Sequence, residues 1–140
     1  MTIAELIQLQ ESEDKVEFKE ARFQYNYNNG RRSVLGYIVA LANEGGGKLI
    51  LGVKENKNGP HNIIGTSAWD GHEGKLTEDI YRDKQIRVQI EILYEGTKRV
   101  LIIHIPSRPV GKTLKFEDVP LMRVGEDLLP MSDEQLLKIL

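Results

Sequence analysis

The chain has 140 residues, 40% of them hydrophobic and 29% charged, with a formal net charge of −2 and no cysteine. That length buries one proper core, and the charge balance excludes a chain basic throughout that wraps nucleic acid, so any nucleic-acid surface has to be a local patch. The missing cysteines exclude disulfides, thiolate zinc sites and cysteine nucleophiles.

The N-terminal stretch Thr2 to Gln10 is short and carries Glu5 rather than the basic start of a signal peptide. No apolar run reaches the roughly 20 residues of a membrane helix, so a soluble cytoplasmic protein without a membrane partner is expected. Thr2 and Glu5 stand at capping-box spacing ahead of Leu6, Ile7 and Leu9, which predicts a short opening helix. An acidic cluster, Glu11, Glu13 and Asp14, runs into Lys15-Val16-Glu17-Phe18-Lys19. As a strand, this segment turns Val16 and Phe18 to the core and Glu17 to the opposite face between two lysines. Phe23 to Gly30 is polar and aromatic without a helical period and ends in an Asn29-Gly30 turn signal.

Arg31, Arg32 and Ser33 lead into the stretch around which the chain is organised. Val34, Leu35, Ile38, Leu41 and Ala42 recur at helical spacing and predict a helix with one apolar face. Asn43 and Gly45 to Gly47 end it. Leu49, Ile50, Leu51 and Val53 then form a near-continuous apolar run, the mark of a strand covered on both faces. Gly52 inside that run signals a bulge, or the close approach of another backbone or a ligand. Glu55 follows just past the strand end.

Beyond it, the turn 57–60 leads to Ile63-Ile64 and Gly65, Trp69 to Glu73 reads as loop, and Lys75 to Tyr81 as a modest helix. Ile86, Val88, Ile90 and Ile92 alternate with Arg87, Gln89 and Glu91, and Glu95-Gly96-Thr97 turns the chain back, which predicts a hairpin over 86–105. A loop with Pro106, Pro109 and Gly111 carries Arg108, Lys112 and Lys115; Val119 to Val124 reads as a short strand. Ser132 and Gln135 form a second capping box, opening a helix in which the chain stops. The whole, residues 1–140, reads as a single domain that either stands alone or forms the N-terminal part of a longer protein.

The order of these pieces resembles one family. Val16-Glu17-Phe18-Lys19, a helix ending Ala40-Leu41-Ala42-Asn43, the triple glycine, the strand Leu49 to Val53, Glu55, Ile64-Gly65 and Pro120-Leu121-Met122-Arg123-Val124-Gly125 together look like the Schlafen-type AlbA_2 domain, formerly the divergent AAA-4 domain. The resemblance covers roughly Glu11 to Leu137. It implies an α/β (α+β) fold, a mixed sheet with flanking helices, of the kind found in bacterial regulators and, paired, in Schlafen nucleases. Nuclease members are similar in holding a divalent cation with three acidic residues. Carried onto this chain, the second is Glu17 and the third Glu55, a glutamate where the family often has aspartate. Family spacing puts the first at Ser12, and a one-residue shift brings in Glu11 or Glu13.

Such a carboxylate cluster suits Mg²⁺ or Mn²⁺, hard ions that polarise a phosphodiester and activate water. Lys19, on the strand face of Glu17, steadies the developing phosphate charge in that reading; the competing reading makes Lys15, Glu17 and Lys19 a weak, solvated ion-pair ladder. Arg31 and Arg32 oppose a helix dipole, as phosphate ligands or as solvated side chains. Arg82, Lys84 and Arg87 with Arg108, Lys112 and Lys115 offer a basic surface, diluted by Asp79, Asp83, Glu117 and Asp118. Arg123 contacts phosphate or caps the neighbouring acidic loop. Tyr25 and Tyr27 stack on bases or pack over their own core edge. His61, His72 and His104 lack metal-ligand spacing, and His104 reads as structural. ATP is not expected: the triple glycine follows a helix and precedes a strand, the reverse of a phosphate loop, and Gly111-Lys112-Thr113 lacks the upstream glycine and strand.

The expectation is a nucleic-acid-binding domain for RNA or DNA, with metal-dependent endonuclease activity centred on Glu11 or Glu13, Glu17, Glu55 and Lys19. Lys19, Arg31, Arg32, Arg87, Lys112 and Arg123 are its nucleic-acid contacts, and a homodimer supplies the second lobe that Schlafen nucleases have. The alternative is a sensing module, binding a ligand or partner, at the N-terminus of a bacterial transcriptional regulator, without catalysis.

Overall fold

In the computed structural model, which describes residues 1–139, the first half of the chain forms α1 (Ile3–Leu6), β1 (Val16–Lys19), α2 (Val34–Asn43), β2 (Gly47–Leu51), β3 (Val53–Lys54) and β4 (Asn62–Ile63). The second half forms α3 (Glu73–Lys84), β5 (Gln89–Glu95), β6 (Lys98–Ile105), β7 (Leu121–Val124), β8 (Asp127–Pro130) and α4 (Asp133–Leu137). The main sheet has the order β1-β2-β6-β5, with β1 parallel to β2 and the remaining neighbours antiparallel. β3–β4 and β7–β8 are separate two-stranded pairs. This is the expected mixed sheet with flanking helices.

Alternation along β2 and β6 separates two hydrophobic layers. Leu49, Leu51, Leu101 and Ile103 pack with α2 and α3 on one face. Ile50, Val100 and Ile102 pack on the other with Val16 and Phe18 of β1, Leu6 of α1, Val53 and Ile63. β1 therefore turns Val16 and Phe18 inward as expected and places Glu17 and Lys19 on the α2 side.

Ser33 caps α2 by accepting a hydrogen bond from Gly36 N at 3.1 Å. All ten residues of α2 are buried, so the expected single apolar face is corrected to burial all round. The cover on the second side is the aperiodic segment before the helix: Asn26 O and Tyr27 O accept from Val34 N and Leu35 N at 2.8 and 3.0 Å, and Tyr25 and Tyr27 lie against the core. β7 closes the remainder.

Gly52 breaks the apolar run into β2 and β3. It holds φ +97°, and a Cβ there would meet Arg99 O at 3.0 Å and the Gly65 backbone at 3.1 Å. Its N–H donates to Lys19 O, and its carbonyl accepts from Ile64 N and Gly65 N, each at 2.9 Å. The anticipated close approach is thus one of backbone on backbone.

Both capping boxes form. The helix read at 75–81 extends over Glu73–Lys84, and the expected hairpin starts at Gln89, with Ile86 and Val88 buried outside the ladder. The strand expected from Val119 starts at Leu121; its partner β8 has no counterpart in the sequence reading. Among the described residues no helix is long and apolar enough to cross a membrane.

Candidate functional site

β1 lies at the sheet edge, and the segments around it build one cleft of about 410 Å³ lined by Glu11, Glu17, Glu44, Glu55, Lys57 and Arg123 among others. Glu11 is fixed by folding back on β1: its carboxylate accepts from Phe18 N at 2.9 Å and its carbonyl from Val16 N at 3.1 Å. Glu44 follows the last residue of α2, where a carboxylate meets the negative end of the helix dipole and needs a cation. Two are supplied. Lys15 Nζ donates to Glu44 O at 2.5 Å, and Arg123 grips the carboxylate through Nε at 3.0 Å and Nη2 at 3.1 Å.

Arg123, 9% exposed, also donates through Nη1 to Val16 O at 2.7 Å and to the Glu17 carboxylate at 3.4 Å. Lys19 Nζ lies 3.6 Å from the other Glu17 oxygen and 4.8 Å above the Tyr37 ring. The solvated Lys15–Glu17–Lys19 ladder does not form: Lys15 turns to Glu44, and Glu17 is only 16% exposed.

Glu55 is placed by a buried histidine. His61 Nδ1 accepts from Asn56 N at 2.9 Å and its Nε2 lies 2.6 Å from Leu9 O. A carbonyl only accepts, so the ring proton sits on Nε2. The ring leans on Phe18 with centroids 4.4 Å apart, tying the loop after β3 to β1. Burial, and after it the charge of Glu11, raises the carboxyls of both Glu17 and Glu55 above their ordinary value. The Glu11 carboxylate thus repels those of Glu17 and Glu55 from two other chain segments in one cleft.

A cationic rim surrounds this floor. Lys57 Nζ pairs with Glu126 at 2.8 Å, and Arg32 Nη2 reaches both Asp127 Oδ1 and Glu126 O at 3.1 Å. Lys57 foremost, then Arg32 and Lys19, hold the Glu126 carboxyl below its usual range. Arg32 and Lys57 therefore meet at the turn between β7 and β8 beside the cleft, while Lys19 stays against Glu17.

Residues 12–132 match the family Schlafen, AlbA_2. The chain belongs to that family. No curated protein matches it. Among solved structures it is similar to the DIP2311 protein of Corynebacterium diphtheriae, with a TM-score of 0.66 and 19% identity over 97% of this chain and 30% of that one. It is also similar to the N-terminal domain of a RecG-related protein of Nitrosomonas europaea, named for ATP-dependent DNA helicases, with a TM-score of 0.52 and 22% identity over 94% of this chain and 88% of that domain. These likenesses are of fold. The chain spans 30% of the length of the C. diphtheriae protein.

Within this AlbA_2 domain, the structure brings together Glu11, Glu17, Glu55, Lys19, Arg32 and Arg123. Glu13 is exposed and does not line the cleft. Arg31 Nη1 donates to Leu128 O at 3.3 Å, holding β8 against the start of α2. Arg87 lies over the Tyr81 ring at 4.3 Å and lines another cavity with the triple glycine and His104. Lys112 lines a third, beside α4. His104 pairs with Glu91 at 2.8 Å, a structural contact. Tyr25 and Tyr27 pack over the core edge, their hydroxyls donating to Arg32 O and Asp83.

Among the described residues no three His, Cys, Asp or Glu side chains are grouped to hold a metal ion. Arg123 occupies Glu17 and Glu44, and Phe18 N takes an oxygen of Glu11, so the carboxylates as arranged do not fit a bound cation. Sequence reasoning missed Glu44, Lys57, Glu126 and the positioning role of His61. An acid at a helix C-terminus was a readable signal for Glu44; Lys57 and Glu126 meet only through the fold.

Proposed function

We propose that this AlbA_2 domain binds nucleic acid, RNA or DNA, by placing phosphates on the rim of the acidic cleft. The observation that carries this reading is the meeting of Arg32 and Lys57, from two separate segments, at the turn between β7 and β8, with Lys19 beside Glu17 in the adjoining cleft. Lys57 and Arg32 now pair with exposed carboxylates, and such pairs contribute only about 0–1 kcal/mol, so a phosphate replaces them at little cost. Phosphate contacts dominate nucleic-acid affinity and make it fall with salt. Family membership supports the reading, as does a fold neighbour that carries a DNA-helicase name.

Endonuclease activity is the finer form of the proposal. It takes support from Glu11, Glu17 and Glu55 meeting in one cleft with raised carboxyl pKa values, beside Lys19. No metal-borne step is assigned to carboxylates that do not group around an ion. A homodimer belongs to the same proposal, since one chain offers one rim. A regulatory module is the second reading, favoured by the likeness to a protein of which this chain spans 30%.

The test is binding and cleavage of labelled tRNA and single-stranded DNA at two salt concentrations, with and without Mn²⁺ or Mg²⁺. Wild type is compared with Lys57→Ala and Glu17→Ala. Salt-sensitive binding weakened by Lys57→Ala supports the rim, and metal-dependent cutting lost in Glu17→Ala adds the nuclease. Binding without cutting leaves a binding module. Absence of both overturns the proposal and favours regulation.

A further inference from the structure

Phe23 is 81% exposed and Tyr94 60%, more than any other Phe, Tyr or Trp among the described residues. Both line one cavity of about 440 Å³, with Arg22 and Lys98 beside them. An exposed phenylalanine forfeits the stabilisation that its burial gives, and a mobile loop would let it fold back. This one is pinned outward. Ala21 holds the left-handed conformation at φ 43°, and its carbonyl accepts from the Thr66 hydroxyl. Ser67 N donates to Arg22 O at 2.9 Å, and Ser67 Oγ donates to Phe23 O at 3.1 Å. The backbone under the ring is therefore tied at three successive residues to the segment after β4.

Tyr94 rises from the end of β5, in the rigid hairpin with β6. Among the described residues, the side chains of Arg22 and Lys98 form no ion pair. The acid that shares the cavity, Asp70, lies 3.8 Å from Arg99 Nε. Two preorganised aromatic faces flanked by two unneutralised cations match the chemistry of a base with its phosphates. Aromatic side chains stack on any base, while the cations track the backbone. A duplex keeps its bases stacked on each other and cannot use such faces.

We propose that this cavity is a stacking subsite for an unpaired nucleobase of single-stranded nucleic acid, lying on Phe23 and Tyr94 with Arg22 and Lys98 on the adjoining phosphates. This rests on the nucleic-acid reading above and adds the strand class: the domain prefers unpaired over paired strands, without base specificity.

The experiment is fluorescence anisotropy with labelled single-stranded RNA and DNA oligonucleotides and with the duplex of the same sequence. It uses wild type, Phe23→Ala, Tyr94→Ala and Lys57→Ala, with circular dichroism confirming the fold. Each aromatic variant is expected to weaken single-strand binding by roughly 5- to 150-fold, the range of one lost stacked base, and to leave duplex binding within about twofold. Equal losses on both strand classes overturn the subsite. So does single-strand binding at wild-type strength in Phe23→Ala and Tyr94→Ala while Lys57→Ala weakens it; that result keeps the rim and removes only the stacking. If the aromatic variants spare nucleic-acid binding but dissociate a homodimer in sedimentation, the patch is a protein interface and the inference is wrong. Wild type binding neither strand class sinks the nucleic-acid reading itself.

Discussion

The guanidinium of Arg123 balances the carboxylates of Glu44 and Glu17 while bonding the carbonyl of Val16, with 9% and 16% of the Arg123 and Glu44 side chains exposed. Replacing it strands both acids in a half-buried site. Arg123→Met is expected to lose about 3 kcal/mol of stability, the scale for removing one partner of a buried pair. The loss should appear as a lower urea midpoint at unchanged slope. Adding Glu44→Gln should recover part of it, and strict additivity of the two changes would show that they do not interact. The neighbouring acids carry a pH signature. Folding raises the Glu17 and Glu55 carboxyls above 4.5, so the folded state holds these protons more tightly than the unfolded chain. The stability they contribute is complete below that pH and is lost as pH rises through the folded values. Glu55→Gln does not ionise, and is expected to melt above wild type at pH 7 and level with it at pH 4. Melting curves that coincide at both pH values would mean that the carboxyls in the cleft do not repel.

At the scale of elements, α2 is the piece on which the others rest, and Gly36 shows how closely. A Cβ at Gly36 would lie 1.7 Å from Arg31 O and 2.6 Å from its carbon, with the helix start and the preceding loop in contact. Gly36→Ala is expected to cost about 2–3 kcal/mol by chemical denaturation, because backbone rather than a flexible side chain must move. A cost near zero would mean that the 26–32 loop relaxes freely. The helix itself was legible: its apolar spacing and its glycine stop were on the page. Its complete burial was not, because the cover comes from Tyr25 and Tyr27 in a segment without any period. β8 escaped notice for a related reason. Asp127-Leu128-Leu129-Pro130 is too short to show alternation and becomes a strand only through pairing with β7. Gly52 was readable as a close approach, since a glycine inside an apolar run has few other uses. Of the cleft, Glu17 and Glu55 came from family resemblance. Glu44 was readable as an acid at a helix C-terminus, whereas His61 and Lys57 came only from the fold, which brings segments distant in sequence onto one edge.

For the molecule as a whole, the position of β1 sets an order in time. β5 and β6 close on each other across the Gly96-Thr97 turn, a local event. β1 pairs with β2 in parallel across the entire α2 segment and has the sheet on one side only. Contacts that close long loops form late, so the local hairpin is expected before β1 pairs with β2. In pulse-labelled hydrogen exchange during refolding, the amides of Lys48 and Gly52, which donate to Lys15 and Lys19, should gain protection after those of the β5–β6 ladder. Simultaneous protection would overturn this order. Glu17 rides on β1, and Glu11 and Arg123 are bonded to it. The carboxylates of the cleft are therefore brought together by a pairing that spans the whole α2 segment, after the local hairpin has formed.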